Sequence, residues 1–111
     1  MHISSKLYVS EKLNKKQDKI INKIKSGEPA LGVFIITEST NGVDVFDIYN
    51  YNLLFQRYYE VYKDLTVYGI ASNKDDAYDL IKHMTDDCIE SLNKVDFRTF
   101  LDMDGQEVGD S

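Results

Sequence analysis

The stretch "LGVFIITESTNGVDVFDIY", Leu31 to Tyr49, decides the fold. Its first part, "LGVFIIT", is apolar at successive positions and rich in β-branched residues, so a strand built from it must be covered on both sides or lie centrally in a sheet. Its last part, "VDVFDIY", alternates, with Asp44 and Asp47 interrupting opposite faces. Between the two, Asn41-Gly42 readily takes the positive φ angles of a tight turn. The stretch therefore reads as an antiparallel hairpin over residues 31–49.

Upstream of the hairpin, Ser10 is a suitable helix N-cap, Glu11 lies in the first turn, where the helix dipole favours a negative charge, and Gly27 is placed to end the helix. This predicts a helix from Glu11 to Ser26. At 100° per residue, Leu13, Ile20, Ile21 and Ile24 gather on one face, with Lys12, Lys15, Lys16, Lys19 and Lys23 as a ridge beside it. Downstream, "NYNLLFQRYYEVYKD" places Tyr51, Leu54, Phe55, Tyr58 and Tyr62 along one helical face, with Asn50 as its cap. The segment "LTVYGIA" reads as a short strand. "SN" then opens a long helix through about Leu92, with Ser72 and Asp75 at capping-box spacing. "VDFRTFLDM" reads as one more short helix, and residues 104–111 as an acidic, disordered tail.

The resulting order, α-β-β-α-β-α, is an α+β domain over residues 1–103 and is expected as a two-layer sandwich, a hairpin-containing sheet covered by helices. If "HISSKLYV" pairs as an edge strand, the order becomes β-α-β-β-α-β plus a C-terminal helix, the ferredoxin-like arrangement. Ser4, Ser5 and Lys6 together weigh against that strand. A chain of 111 residues is one domain in size, and its 42% hydrophobic content is sufficient for a core without staples.

Charge divides the chain. Residues 1–26 hold seven lysines against Glu11 and Asp18, a balance of +5; the remainder holds six basic and seventeen acidic residues, a balance of −11, for the total of −6. Such asymmetry fits either a binding arm or two faces of opposite sign. A single cysteine, Cys88, excludes an internal disulfide and points to a reducing cytoplasm. The first twenty residues lack the apolar run of a signal peptide, and no stretch is apolar enough to span a bilayer. Eleven lysines against two arginines fit a bacterial or phage genome rich in AT.

The composition of "NKDDAYDLIKHMTDDCIE", Asn73 to Glu90, raises the question of a metal site, with six carboxylates, a histidine and a cysteine in eighteen positions. Asp79, His83 and Asp86 or Asp87 have the spacing that lets side chains converge on one cation. On a helical wheel, however, Ala77, Leu80, Ile81, Met84, Cys88 and Leu92 take one side while the carboxylates and His83 take the other, and no second histidine-bearing helix faces them. A solvated acidic face is the better reading, with Cys88 in the buried stripe as a small hydrophobe. No Gly-rich phosphate loop is present, and the tail "DMDGQEVGD" is too short for a calcium loop. No catalytic residue and no cofactor is expected.

Two surfaces remain. The ridge Lys12, Lys15, Lys16, Lys19 and Lys23 suits an acidic partner or a phosphate backbone, although it lacks the arginines and aromatics of specific nucleic-acid readers. The tyrosine-rich segment with Tyr51, Phe55, Tyr58 and Tyr62 suits an outer core, a protein interface, or a pocket lined by Tyr49, Phe55, Tyr58 and Tyr68.

The phrases "VYGIASNKDDAYDLI" (residues 67–81) and "GVFIITESTNGVDVFDIY" (residues 32–49) resemble stretches of small uncharacterised cytosolic α+β proteins of AT-rich Gram-positive bacteria. The resemblance implies a fold and a source and brings no activity. The expectation is a non-enzymatic, self-associating protein-interaction domain with no membrane partner. Its alternatives are a nucleic-acid-associated or nucleic-acid-mimicking regulator and, last, a metal-dependent enzyme.

Overall fold

A computed structural model describes residues 1–39 and 46–93, and within 51–62 it leaves aside the side chains at positions 55, 57, 58, 59, 61 and 62. The order is β1 (His2–Val9), a 3₁₀ segment (Glu11–Lys16) running into α1 (Gln17–Lys25), β2 (Phe34–Glu38), β3 (Phe46–Asn50), α2 (Tyr51–Tyr62), β4 (Thr66–Ala71) and α3 (Lys74–Leu92). The α+β class is therefore as expected. Asn41-Gly42, the short helix after Leu92 and the acidic tail at 104–111 lie outside the described residues.

One four-stranded mixed sheet runs β1-β4-β2-β3. β2 pairs antiparallel with β3, Ile36 opposite Ile48, and antiparallel with β4, Ile35 opposite Ile70. β1 pairs with β4 in parallel, Val9 opposite Ile70. Residues 2–9 thus form the additional edge strand despite Ser4, Ser5 and Lys6, and the leading order without it is corrected. The register of β1 shifts between Ile3 and Tyr8, which is where the alternation of the sequence fails. The parallel β1/β4 pair also separates this sheet from the ferredoxin-like arrangement, whose strands are antiparallel throughout.

The two-layer expectation gives way to three layers. Leu13, Ile20 and Ile24 from the first helical segments, with Tyr51 and Leu54 from α2, bury against Val33, Ile35, Val67 and Ile70 on one face of the sheet. On the other face, Ala77, Leu80 and Met84 of α3 bury against Ile36 and Ala71. Because successive strand residues point to opposite faces, Ile35 and Ile36 enter different cores, which is why "LGVFIIT" had to be apolar on both sides. A bulge in β4 keeps both faces packed: Val67 opposes Thr37 and Gly69 opposes Ile36, leaving Tyr68 as the extra residue. A Cβ on Gly69 would stand 2.9 Å from Ile36 Cδ1 and 3.3 Å from Met84 Cε, so glycine leaves room there for the ends of both side chains.

The ends of the helices follow local chemistry. Gly27, at φ 69°, ends α1, and Glu28 N–H donates to Lys23 O at 2.8 Å. Asn50 caps α2, its side-chain oxygen accepting from Asn52 N–H and Leu53 N–H. At α3 the expected Ser72/Asp75 pair is displaced by one residue: Asn73 is the N-cap and accepts from Asp76 N–H at 2.8 Å, while the Asp76 carboxylate accepts from Ser72 Oγ at 2.7 Å. Asn93, left-handed at φ 58°, closes the helix. Ser10 stands at the N-cap position but makes no side-chain cap, because a 3₁₀ turn, Leu13 N–H to Ser10 O at 3.0 Å, begins there instead of the continuous α-helix read from Glu11 to Ser26.

Candidate functional site

The lysine ridge becomes one wall of a groove. Lys16, Lys19 and Lys23 share with the loop from Pro29 to Val33 a depression of about 770 Å³, which buried Leu13 and Ile20, together with Asn52 and Gln56, also line. Lys12 and Lys15 are exposed beyond it. The loop is held by Tyr51, whose backbone N–H donates to Val33 O at 2.9 Å and whose hydroxyl donates to Glu28 O at 2.7 Å. Gly32, at φ 69°, supplies the left-handed turn that carries Leu31 outward. Leu31 is 85% exposed, a large apolar side chain sharing its groove with three ammonium groups. Asn52 Oδ1 is buried there and makes no hydrogen bond among the described residues.

Tyr51 is therefore core, with no exposed surface. The side chains of Phe55, Tyr58 and Tyr62 lie outside those described. Tyr49 and Tyr68, two of the residues of the alternative pocket with Phe55 and Tyr58, lie apart, Tyr49 on the α1/α2 face of the sheet and Tyr68 on the α3 face, edge-on to Phe46 at 5.8 Å.

On α3 the buried stripe is Ala77, Leu80, Met84 and Cys88, and the outer side carries Asp75, Asp79, His83, Asp86 and Glu90, as the helical wheel predicts. Asp87 turns from the metal candidates to accept from the Tyr8 hydroxyl at 2.5 Å, tying β1 to α3. Among the described residues no three His, Cys, Asp or Glu side chains come together as a metal ion would require. Asp79 and His83 instead line a second cleft with Asp76 and the chain from Val9 to Lys12, of about 710 Å³. Sequence reasoning took Ser10 only as a helix cap and missed its place in this cleft; no local signal marks a hydroxyl that leaves its capping bond unmade.

The fold and its grooves define an α+β domain with a cationic, partly apolar depression on one face and a carboxylate-bearing helix on the other. No protein-family model, no curated protein and no solved structure matches the chain. No described helix is long and apolar enough to cross a membrane.

Proposed function

We propose that this chain is a non-enzymatic protein-interaction domain whose basic groove docks an acidic segment, and that a second copy supplies that segment through the outer carboxylates of α3. The observation that carries the reading is Leu31, 85% exposed in the same groove as Lys16, Lys19 and Lys23. An apolar side chain amid cations matches a partner with both apolar and acidic side chains, since burying it recovers about 25 cal/mol per Å² while the ammonium groups set orientation and encounter rate. Among the described residues no arginine lines the groove, whereas specific readers of nucleic acid add arginine for bidentate base contacts.

A second copy fits because the surfaces are complementary in charge and lie on opposite faces of one sheet. No single copy can bring its own α3 to its own groove. Such surfaces join head to tail, the heterologous mode of association. A cytoplasmic setting and a bacterial or phage source belong to the same proposal, supported by the single buried cysteine and the excess of lysine over arginine.

Light scattering coupled to size-exclusion chromatography, at two protein and two salt concentrations, tests this. The mean mass should rise with protein concentration at low salt and fall at high salt. Leu31→Ser, and the joint change Lys16→Gln, Lys19→Gln and Lys23→Gln, should each return a monomer. A monomer under all conditions removes self-association. Salt-dependent retention of DNA or RNA, lost with the same lysine changes, moves the function to nucleic acid.

A further inference from the structure

The second cleft lies where the chain paths diverge. β1 and β4 run side by side in parallel and end together, Val9 opposite Ile70. The helical segment after β1 packs on one face of the sheet and α3, after β4, on the other. This is a topological switch point, and in open sheets the crevice outside the carboxyl ends of such strands is where ligands bind. The cleft of about 710 Å³ occupies that position.

Ser10 gives it a second mark. The residue is 5% exposed, and its backbone is fully engaged, N–H to Ile70 O at 3.0 Å and C=O from Leu13 N–H at 3.0 Å. The residue lines the cleft, and its hydroxyl is buried with no hydrogen-bond partner among the described residues. A buried hydroxyl without a partner costs stability, and such groups in native folds call for an explanation. A ligand that supplies the bond is one.

The charges set the chemistry of that ligand. Glu11, Asp76 and Asp79 line the cleft against Lys12, which reaches Asp76 at 3.8 Å from a side chain 70% exposed and so neutralises little. Asp76 is already engaged by Ser72 and Asn73 at the cap of α3. Glu11 and Asp79, one from each wall, are the exposed carboxylates. Among the described residues they do not come together with a third ligand around a point, as a metal ion would require. Carboxylates on the two walls, with an unpartnered hydroxyl beside one of them, suit an extended cation bearing several N–H donors.

We propose that the cleft between the start of the 3₁₀ segment and α3 binds a small organic polycation of the polyamine class, with Ser10, Glu11 and Asp79 as its recognising groups. The site is separate from the lysine groove and its outcome leaves the interaction reading untouched. Amide NMR titration with spermidine tests it, on the intact chain and on Ser10→Ala and the double variant Glu11→Gln, Asp79→Asn. Shifts should be confined to residues 9–14 and 76–83, with binding weakened about fivefold by Ser10→Ala and about tenfold by the double variant. Ser10→Ala should at the same time leave the thermal midpoint unchanged or raised, because it deletes a buried hydroxyl that bonds none of the described residues. A lowered midpoint would mean that the hydroxyl serves the fold, and would overturn the proposal. So would the absence of shifts, shifts spread evenly to Asp86 and Glu90 and indifferent to Ser10→Ala, or displacement of spermidine by inorganic phosphate or by magnesium alone acting at the same residues.

Discussion

Tyr51 shows how much one residue can decide. It follows the Asn50 cap as the first residue of α2, its ring has no exposed surface, and its hydroxyl reaches the Glu28 carbonyl at 2.7 Å. A single side chain thus ties α2 to the loop that presents Leu31. Removing the hydroxyl leaves a carbonyl without its partner while the ring keeps its packing, so Tyr51→Phe should cost about 1–2 kcal/mol, read as a lower urea midpoint with an unchanged slope. The groove should also loosen, since its Pro29–Val33 wall loses an anchor. Sequence reasoning placed Tyr51 on the correct helical face yet left core and interface open. An amphipathic ring with a polar tip suits both, and only the position of Glu28 decides between them.

At the scale of elements, α3 was the most legible part of the chain, and β1 the least. The period of Ala77, Leu80, Met84 and Cys88 fixes the buried side of α3, and Leu92 is its last residue, as read. Its cap differs by one position because Asn73, rather than Ser72, holds the N-cap, with Asp76 returning the bond three residues on. Asn73→Ala should therefore destabilise the protein by about 1 kcal/mol, whereas Ser72→Ala removes only a bond to the already engaged Asp76 and should cost less; paired thermal melts separate the two. β1 defeats periodicity because its hydrogen bonding to β4 is irregular between Ile3 and Tyr8, so its side chains need not alternate. The 3₁₀ start of the first helical segment was hidden for a related reason. Leu13 falls on the apolar side in either helical geometry, and the bond that selects the tighter one joins backbone groups common to every residue. The cleft at Ser10 inherits both failures, since its position depends on a strand and a turn that composition does not mark.

At the scale of the molecule, the apolar run "LGVFIIT" left open whether its strand was covered on both sides or merely central in the sheet, and the three-layer arrangement makes it both: α1 and α2 lie over one face, α3 over the other. That layering turns the charge division of the sequence into a spatial one. Lys16, Lys19 and Lys23 lie on one side of the sheet and the outer carboxylates of α3 on the opposite side, so in the proposed head-to-tail docking each copy would carry one half of two different contacts. Neutralising the groove in one variant (Lys16→Gln, Lys19→Gln, Lys23→Gln) and the outer acids in another (Asp86→Asn, Glu90→Gln) should leave each alone monomeric. Mixed together, the intact groove of the second variant can receive the intact α3 of the first, while neither surface remains to extend the assembly. The mixture should therefore form a one-to-one dimer at low salt and stop there, whereas the unmodified chain continues to grow in mean mass with concentration. A self-complementary two-fold contact predicts the reverse, an unmodified chain that stops at a dimer and a mixture in which each pair is half damaged. Light scattering on the mixture at equal concentrations distinguishes these directly, because only head-to-tail docking concentrates all the surviving contacts into one undamaged interface.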